Sequence, residues 1–522
     1  MQNKIRPIFQ DQWLSKIRTM QVGKLDLQTT WVNQRASILV AIVFLVFLGF
    51  VQFATPDMPD NDGYYHIKLA YLMRTEGLTP EFSWLPLSIL NAREYYDHHF
   101  LFHVALIPFT YGDLRVGAKL AAVLFAGLAL LSVWRVLKNQ RIPYAFYWAL
   151  ALMAISEAFI YRMSITRAQS LSLIVLMLAL DWLLRNKIKR LAGLAFVYVW
   201  LYNAFPLLLI VAGVFVAAKW ILERKLDLRP VVSVGLGTFL GLIINPYFPY
   251  NIIFAVQHIL PKLFEPTSVS VGSEWYPYTT AQLLENSLLA LVAFVSGALS
   301  LGLQEKRTDL RTLVSFLLAG VFGLMMFQSR RFIEYFPPFA LVFAAFAWAP
   351  IMSQAKVRWR SLSIQPASLA MVLILLPGVW FTFQASRASL QASKPYQTYA
   401  DASTWLAQNT PEGVRVFQTD WDDFPRLFFY NTQNSYLIGL DPTYMQLYDA
   451  ELYTLWEEIT QGDVEQPSAQ IFGDFGAEYV ITDLRHRDFI RQADNDPALV
   501  ERYRDEYAVV YQVLVDRKSG AD

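Results

Sequence analysis

The amino-acid sequence predicts a polytopic α-helical membrane protein, with about 11 transmembrane helices and a C-terminal soluble α/β domain. Three observations carry this expectation. Of 522 residues, 55% are hydrophobic and only 17% charged, an apolar excess beyond that of ordinary water-soluble domains. The apolar residues fall in runs of the length that spans a bilayer, roughly 20 residues or slightly fewer. Basic clusters recur between alternate runs, as the preference of Lys and Arg for the cytoplasmic side requires.

Residues 1–36 are polar and basic and read as a cytoplasmic N-terminal segment. The apolar run behind them has no small-residue cleavage pattern, so it reads as an anchor that stays. Candidate spans are 37–54, 116–137, 143–160, 167–184, 191–203, 205–222, 230–246, 283–303, 312–327, 336–352 and 366–384. The run 191–203 is too short to cross alone, and Asn203-Ala204-Phe205-Pro206 interrupts a longer apolar stretch there. This suggests a hairpin of two abbreviated or broken helices, whose irregular backbone must be buried in protein or line a cavity.

Lys4, Arg6, Lys16, Arg18, Lys24 and Arg35 place the N-terminus in the cytoplasm. Eleven crossings then put every other basic cluster on the same side: Lys138/Arg141, Arg185 to Arg190, Lys219 to Arg229, Lys306 to Arg311 and Lys356 to Arg360. The expectation is a multi-pass protein of a plasma or inner membrane, with residues 37–386 embedded and 387–522 extracytoplasmic. In the tail, short apolar strands at Val414–Phe417 and Tyr479–Thr482 alternate with helical stretches at 401–408, 441–461 and 485–494, the rhythm of a small layered domain. Two long external loops, 55–115 and 247–282, hold most of the acids, histidines and aromatics outside the tail. Loops of that length in compact proteins usually serve a function or are disordered, and the aromatic content argues against disorder.

Composition also excludes some chemistry. The chain has no cysteine, so disulfides, thiolate metal sites and cysteine nucleophiles are ruled out. Its formal net charge of +1 gives no basic field for a nucleic-acid partner.

The first loop opens with Asp57-Met-Pro-Asp60-Asn61-Asp62-Gly63-Tyr64-Tyr65-His66. Asp62 stands at the start of a helical segment, 67–76, where a carboxylate can cap and still face a cleft. The same loop ends in Asp97-His98-His99. Acids and imidazoles from both ends of one loop suit a hard metal or acid/base work, although solvated loop residues would give the same spacing. At the external end of the ninth span, Gln328-Ser-Arg330-Arg331-Phe-Ile-Glu334-Tyr335 breaks the charge rule. Ionisable groups at a membrane boundary are costly unless used or snorkelling, and the arginine fork matches phosphate oxygens. Arg162 and Arg167 are similar exceptions. Glu274-Trp275 in the second loop, and Asp420-Trp421-Asp422 and Asp441 after tail strands, complete the candidates.

Together these residues resemble the GT-C superfamily of membrane glycosyltransferases, and most of all the catalytic subunits of oligosaccharyltransferases. Asn61-Asp62-Gly63-Tyr64 is similar to the motif that carries the family's first-loop, metal-binding aspartate. Arg331-Phe332, followed by Tyr335 and Pro338, resembles the segment whose arginine meets the donor phosphate. Glu274 stands where the family places a loop glutamate, and Trp421-Asp422 resembles its tryptophan–aspartate motif.

The resemblance covers the whole chain. It implies an enzyme that moves a sugar or oligosaccharide from a polyprenyl-(pyro)phosphate donor to a protein, glycan or lipid acceptor on the extracytoplasmic side. Asp62, Asp97, His98 and Glu274 are then catalytic, and Tyr64, His66, Arg167, Arg330, Arg331, Tyr335, Trp421 and Asp422 bind substrate. A divalent metal, Mg or Mn, is the implied cofactor, with Asp62, Asp97 and His99 as its ligands.

The sequence departs from the family twice. Arg162-Met-Ser-Ile-Thr-Arg167-Ala-Gln-Ser has no acid where the family supplies metal ligands, though Glu157 lies nearby, and Asp420 stands in front of Trp421 in an incomplete double-tryptophan motif. These departures leave open a GT-C transferase that uses a polyprenyl-monophosphate monosaccharide without metal. A transporter or flippase of lipid-linked glycans is a further alternative, suggested by the broken helix, and a non-catalytic assembly subunit is another.

Overall fold

The computed structural model describes residues 35–91, 93–259, 272–304, 307–358 and 366–514. Helix α1 (Arg35–Gln52) leads into the first long loop, which folds into α2 (Asp62–Glu76) and α3 (Phe100–Leu106) before α4 (Leu114–Asn139). Then come α5 (Ala145–Leu150), α6 (Glu157–Ser164), α7 (Gln169–Leu184), α8 (Arg190–Leu201), α9 (Pro206–Glu223), α10 (Arg229–Ile243) and α11 (Tyr250–Phe254). Beyond the second long loop lie α12 (Thr280–Gly302), α13 (Leu310–Met326), α14 (Phe336–Arg358) and α15 (Pro366–Gln391).

Among the described residues, six helices are long and apolar enough to cross a membrane: α1, α4, α9, α12, α14 and α15. A seventh span results if α6 and α7, bent by 109° at a short break, are counted as one. The other expected spans at 191–203, 230–246 and 312–327 are apolar helices of 12, 15 and 17 residues. Length and composition therefore support six or seven crossings. The expected span 143–160 is not one helix. Ser156 interrupts it, its hydroxyl accepting from Phe159 N at 3.0 Å to cap α6. The break expected near Asn203 is present, with Tyr202–Phe205 separating α8 from α9. Helices α8 and α10 approach closely through Gly237, where a Cβ would come within 2.0 Å of the Ala192 carbonyl, as small residues allow in apolar bundles.

The C-terminal part contains α16 (Ala400–Asn409), β1 (Arg415–Gln418), α17 (Phe424–Tyr430), β2 (Ser435–Tyr436), α18 (Thr443–Tyr448), α19 (Ala450–Gln461) and α20 (Ser468–Gly473). It finishes with β3 (Tyr479–Asp483), α21 (Arg487–Asn495), β4 (Leu499–Arg504) and β5 (Ala508–Val513). The sheet order is β2-β1-β3-β5-β4, with β2, β1 and β3 parallel and β5 antiparallel to both β3 and β4. The helix expected over 441–461 is two helices, because Asp449 caps α19 by accepting from Glu451 N and Leu452 N at 3.0 Å each.

This α/β unit shares a hydrophobic core with the first loop. Tyr65, Leu69, Phe82 and Trp84 pack with Phe424, Phe428 and Tyr436. Trp84 meets Phe428 edge-on at 4.9 Å, and its indole N–H donates to the Thr432 carbonyl at 2.8 Å. Arg426 is 1% exposed and ties the two regions. Its Nε donates to Asn61 Oδ1 at 2.7 Å, its Nη1 and Nη2 donate to the Pro395 and Lys394 carbonyls at 2.8 and 3.0 Å, and the guanidinium lies 4.4 Å over the Tyr64 ring. Truncating Arg426 removes all three hydrogen bonds and the cation over Tyr64. Arg426→Ala is expected to cost about 2–3 kcal/mol, read as a lower thermal unfolding temperature and faster proteolysis of the tail in detergent. Arg426→Lys, which lacks the fork, should fall between the two.

Candidate active site

The site grows from the bend between α6 and α7. Ile165 leaves the helical region, and three hydrogen bonds hold the turn: Arg167 N to Ile165 O at 2.9 Å, Gln169 Nε2 to Arg162 O at 2.7 Å, and Thr166 Oγ1 to Ala118 O at 3.1 Å. The turn points Arg162 and Arg167 into a cavity of about 580 Å³, also lined by Asp60, Asp62, Glu274, Trp421 and Asp422. Gly63 lets α2 approach this turn, since a Cβ there would meet Thr166 Cβ at 3.4 Å and Met58 Cε at 2.6 Å. Helix α2 starts at Asp62 rather than 67, and its N-cap, Asn61, makes no side-chain cap. Asp62 is thus the first helical residue and not a cap, and its carboxylate pairs with Arg167.

The charges interlock. Arg167 grips Asp60 side-on, Nε to Oδ2 at 2.6 Å and Nη2 to Oδ1 at 2.7 Å, and the same Nη2 lies 3.0 Å from Asp62 Oδ2. Arg167 Nη1 is 3.2 Å from both oxygens of Glu274. Arg162 donates from Nη1 to Glu274 at 2.6 Å and from Nε to the buried Glu334 at 2.8 Å. Arg331 Nη2 reaches Glu274 at 3.2 Å, and its guanidinium lies 4.4 Å over the Trp275 ring. Its Nε is buried without a hydrogen-bond partner among the described residues.

These surroundings separate the carboxylates by proton affinity. Burial, opposed by Arg167 and reinforced by Asp60 and Glu274, pushes Asp62 up to about 7. Burial, reinforced by Asp62 and Asp420, pushes Asp422 up to about 8; its Oδ2 accepts from Asn61 Nδ2 at 2.6 Å. Burial alone would raise Glu274 too, but Arg331, Arg167 and Arg162 hold it well below the usual carboxylate range. Asp62 can therefore exchange a proton near neutral pH. Glu274 stays ionised, which suits a structural anion better than proton transfer.

A smaller cavity of about 90 Å³ adjoins the first, sharing Asp62, Arg167, Glu274 and Arg331 and adding His66, His98, His99, His258 and Asp441. Tyr202 and Asn203, in the break between α8 and α9, line it as well, so the irregular backbone borders a cavity, as expected. Behind it, His66 Nδ1 lies 2.7 Å from His103 Nε2, and His103 Nδ1 lies 2.7 Å from Asp97 Oδ2. Burial lowers His98 to about 4 and holds His66 and His99 well below the usual histidine value, so these rings are neutral at pH 7.

The fold thus brings Asp62, Glu274, Arg167, Arg330, Arg331, Trp421 and Asp422 to the larger cavity, and His66, His98 and His99 to the smaller. Three expected site residues lie elsewhere. Asp97 is spent on His103 and on the backbone N–H of His99. Tyr64 is fully buried beside Phe429 and Arg426. Tyr335 is a core residue, its hydroxyl 2.8 Å from Ser172 Oγ, and it anchors the arginine segment rather than touching the cavity. The implied metal ligands Asp62, Asp97 and His99 do not converge: Asp62 faces Arg167 while Asp97 faces His103. No group of three or more His, Asp or Glu side chains among the described residues is arranged to hold a metal ion. Sequence reasoning did not single out Asp60, Glu334, His103 or His258 as site residues. The available signal was that five of the chain's six histidines fall in the two long loops.

The sequence matches no family model, and no curated protein matches it. Solved structures do share its fold. The archaeal oligosaccharyltransferase AglB from Archaeoglobus fulgidus, in complex with an inhibitory peptide and a dolichol-phosphate, aligns with a TM-score of 0.64 and 13% identity, over 89% of this chain and 72% of that one. ArnT from Cupriavidus metallidurans bound to undecaprenyl phosphate aligns with 0.56 and 18%, over 93% and 99%. The arabinofuranosyltransferase AftD from Mycobacteria aligns with 0.57 and 16%, over 92% and 42%. Another structure of the Archaeoglobus enzyme, at 0.60 and 13%, carries Zn and sulfate. The chain has the GT-C fold of these membrane glycosyltransferases.

The raised affinities of Asp62 and Asp422 make stability depend on pH. Their folded values lie above the ordinary carboxylate value, so folding retains protons that the unfolded chain gives up, and stability falls as pH climbs from about 4 to about 8. Asp422→Asn keeps an acceptor for Asn61 without that cost. Its unfolding temperature should exceed the wild type's by about 2–4 °C at alkaline pH and match it in acid.

Proposed function

We propose that this protein is a membrane glycosyltransferase that transfers a sugar or oligosaccharide from a polyprenyl-phosphate-linked donor to a protein, glycan or lipid acceptor on the extracytoplasmic side. The observation that carries the reading is the pairing, in one cavity, of a carboxylate with proton affinity near neutral pH, Asp62, and a guanidinium with a free buried donor, Arg331. Dolichol-phosphate and undecaprenyl phosphate in similar structures support a lipid phosphate as the donor's leaving group.

In this reaction the acceptor's oxygen or nitrogen attacks the anomeric carbon while the bond from that carbon to the phosphate oxygen breaks. Asp62 takes the acceptor's proton as general base. The polyprenyl phosphate leaves with the bonding pair, and the negative charge growing on it meets Arg331, with Arg330 at the cavity rim. Desolvation makes Asp62 basic enough to do this. The Trp421–Asp422 segment closes the cavity from the tail side, where it can orient the acceptor.

The metal implied by the resemblance finds no converging ligand set among these residues, so no step runs through it. The transporter reading loses its main support, because the broken helix borders the same acid–arginine site rather than a separate midplane pocket.

Asp62→Asn is expected to reduce transfer by about 100-fold or more while folding is kept, in an assay with a radiolabelled polyprenyl-phosphate sugar in proteoliposomes. Wild-type kcat/KM should rise with pH through about 7, as the Asp62 carboxyl loses its proton. A fully active Asp62→Asn protein, or a rate that falls over that range, would refute the assignment. Arg331→Ala should weaken donor binding and slow release of the phosphate, and Arg331→Lys should restore little of either.

A further inference from the structure

Three carboxylates converge on one guanidinium. Asp60, Asp62 and Glu274 come from two distant loops, yet each meets Arg167, at 2.6 and 2.7 Å, 3.0 Å and 3.2 Å. Every nitrogen of the fork is engaged: Nε with Asp60, Nη2 with Asp60 and Asp62, Nη1 with Glu274. Three acids gathered in a partly desolvated cleft repel one another unless a cation lies among them. Hard oxygen donors in such a set usually surround a divalent metal. Here the cation belongs to the chain, on the stretch 162–170 that supplies arginines and no acid.

We infer that the Arg167 guanidinium stands in place of a divalent metal ion, gathering Asp60, Asp62 and Glu274, and that its removal uncovers a latent divalent-cation site formed by those three carboxylates. The inference deepens the transferase reading and rests on it only for the reaction that the assembled site performs.

A built-in guanidinium differs from a metal in ways that suit this cavity. It is permanently protonated, so the site is assembled without any ion from solution. It carries one positive charge rather than two, which leaves Asp62 able to accept a proton, whereas a dication bound directly to Asp62 would hold it as a ligand. Its donors are directional, so Asp60 takes the side-on position and Asp62 meets Nη2 through Oδ2. Arg167 is in these terms a positioning residue that acts through Asp62.

The test uses the full chain in detergent, stripped of metal with EDTA, titrated with Mn2+ alone and read by the electron paramagnetic resonance of the free ion. Wild type should bind no Mn2+ at millimolar concentration, and its thermal unfolding should not respond to the ion. Arg167→Ala should bind about one equivalent with affinity at least about tenfold above wild type, within the range of weak carboxylate sites. Arg167→Ala combined with Asp60→Asn should lose that binding, and Arg167→Lys, which keeps the charge, should not gain it. Binding of Mn2+ by wild type that disappears in Asp62→Asn would overturn the inference. So would an Arg167→Ala or Arg167→Gln protein that stays folded, by size-exclusion and thermal unfolding, and binds none. The wild-type titration stands even if every Arg167 variant fails to fold. No arm measures sugar transfer, so this inference and the transferase reading fail separately.

Discussion

Charge compensation beneath the cavity is the constraint on which the rest depends. Asp60, Asp62, Glu274 and Glu334 meet Arg162, Arg167 and Arg331 beside apolar helices. A buried charge with no partner costs several kcal/mol in such a place, so neither set could be kept there without the other. The groups come from four separated stretches of chain: the first loop, the α6–α7 bend, the second loop and the segment before α14. Their pairing therefore ties the loops to the bundle. The 109° bend is part of the same arrangement, because it brings two arginines five residues apart onto one cavity wall, which a continuous helix would have turned to different faces.

The α/β unit completes the site and is held in place by aromatic packing rather than by charge. Trp84 and Phe82 of the first loop pack with Phe428 and Phe424, and this shared core fixes α17 against α2. Since Asp422 lies just before α17, that contact sets where its carboxyl stands relative to Asp62. Asp62 raises the proton affinity of Asp422. Docking of the tail against the first loop thus tunes Asp422 by charge as well as by shape.

The bundle and the tail's rhythm were legible in the sequence because both follow from periodicity and run length. β1, β3, α16 and α21 lie where short apolar strands and helical stretches predicted them. Crossing number was less legible, since hydropathy alone does not decide whether helices of 12 to 17 residues cross. The break in 143–160 depends on Ser156, which reads as an ordinary helix residue until its capping bond is seen. Site residues divided in the same way. Charges that break the pattern of their surroundings, Arg162, Arg167 and Arg331, stood out and all reach the cavity. Tyr64 and Tyr335 carried a motif resemblance, yet they serve packing, which is decided by which helix face meets the core. Asp97 could not be placed from sequence because its partner, His103, sits six residues on within the next helical turns, where it looks like one more polar group in an apolar helix.

Glu274 joins the two halves of the site and determines how a phosphate could enter it. Its backbone is fixed to the arginine segment, with Ser329 Oγ donating to the Glu274 carbonyl at 2.9 Å and Arg330 N donating to the Tyr276 carbonyl at 3.1 Å. Its carboxylate nevertheless faces three arginines. Among the described residues, Glu274 is the one ion-pair partner of Arg331, whereas Arg162 also holds Glu334 and Arg167 also holds Asp60 and Asp62. The three pairings are therefore unequal in what they leave behind when broken. An incoming phosphate that takes Arg331 leaves Glu274 with two guanidiniums, so no buried carboxylate is abandoned. Taking Arg162 or Arg167 would instead strip Glu334 or Asp60 of its partner. The asymmetry selects Arg331 as the guanidinium that can change partners without stranding a second carboxylate.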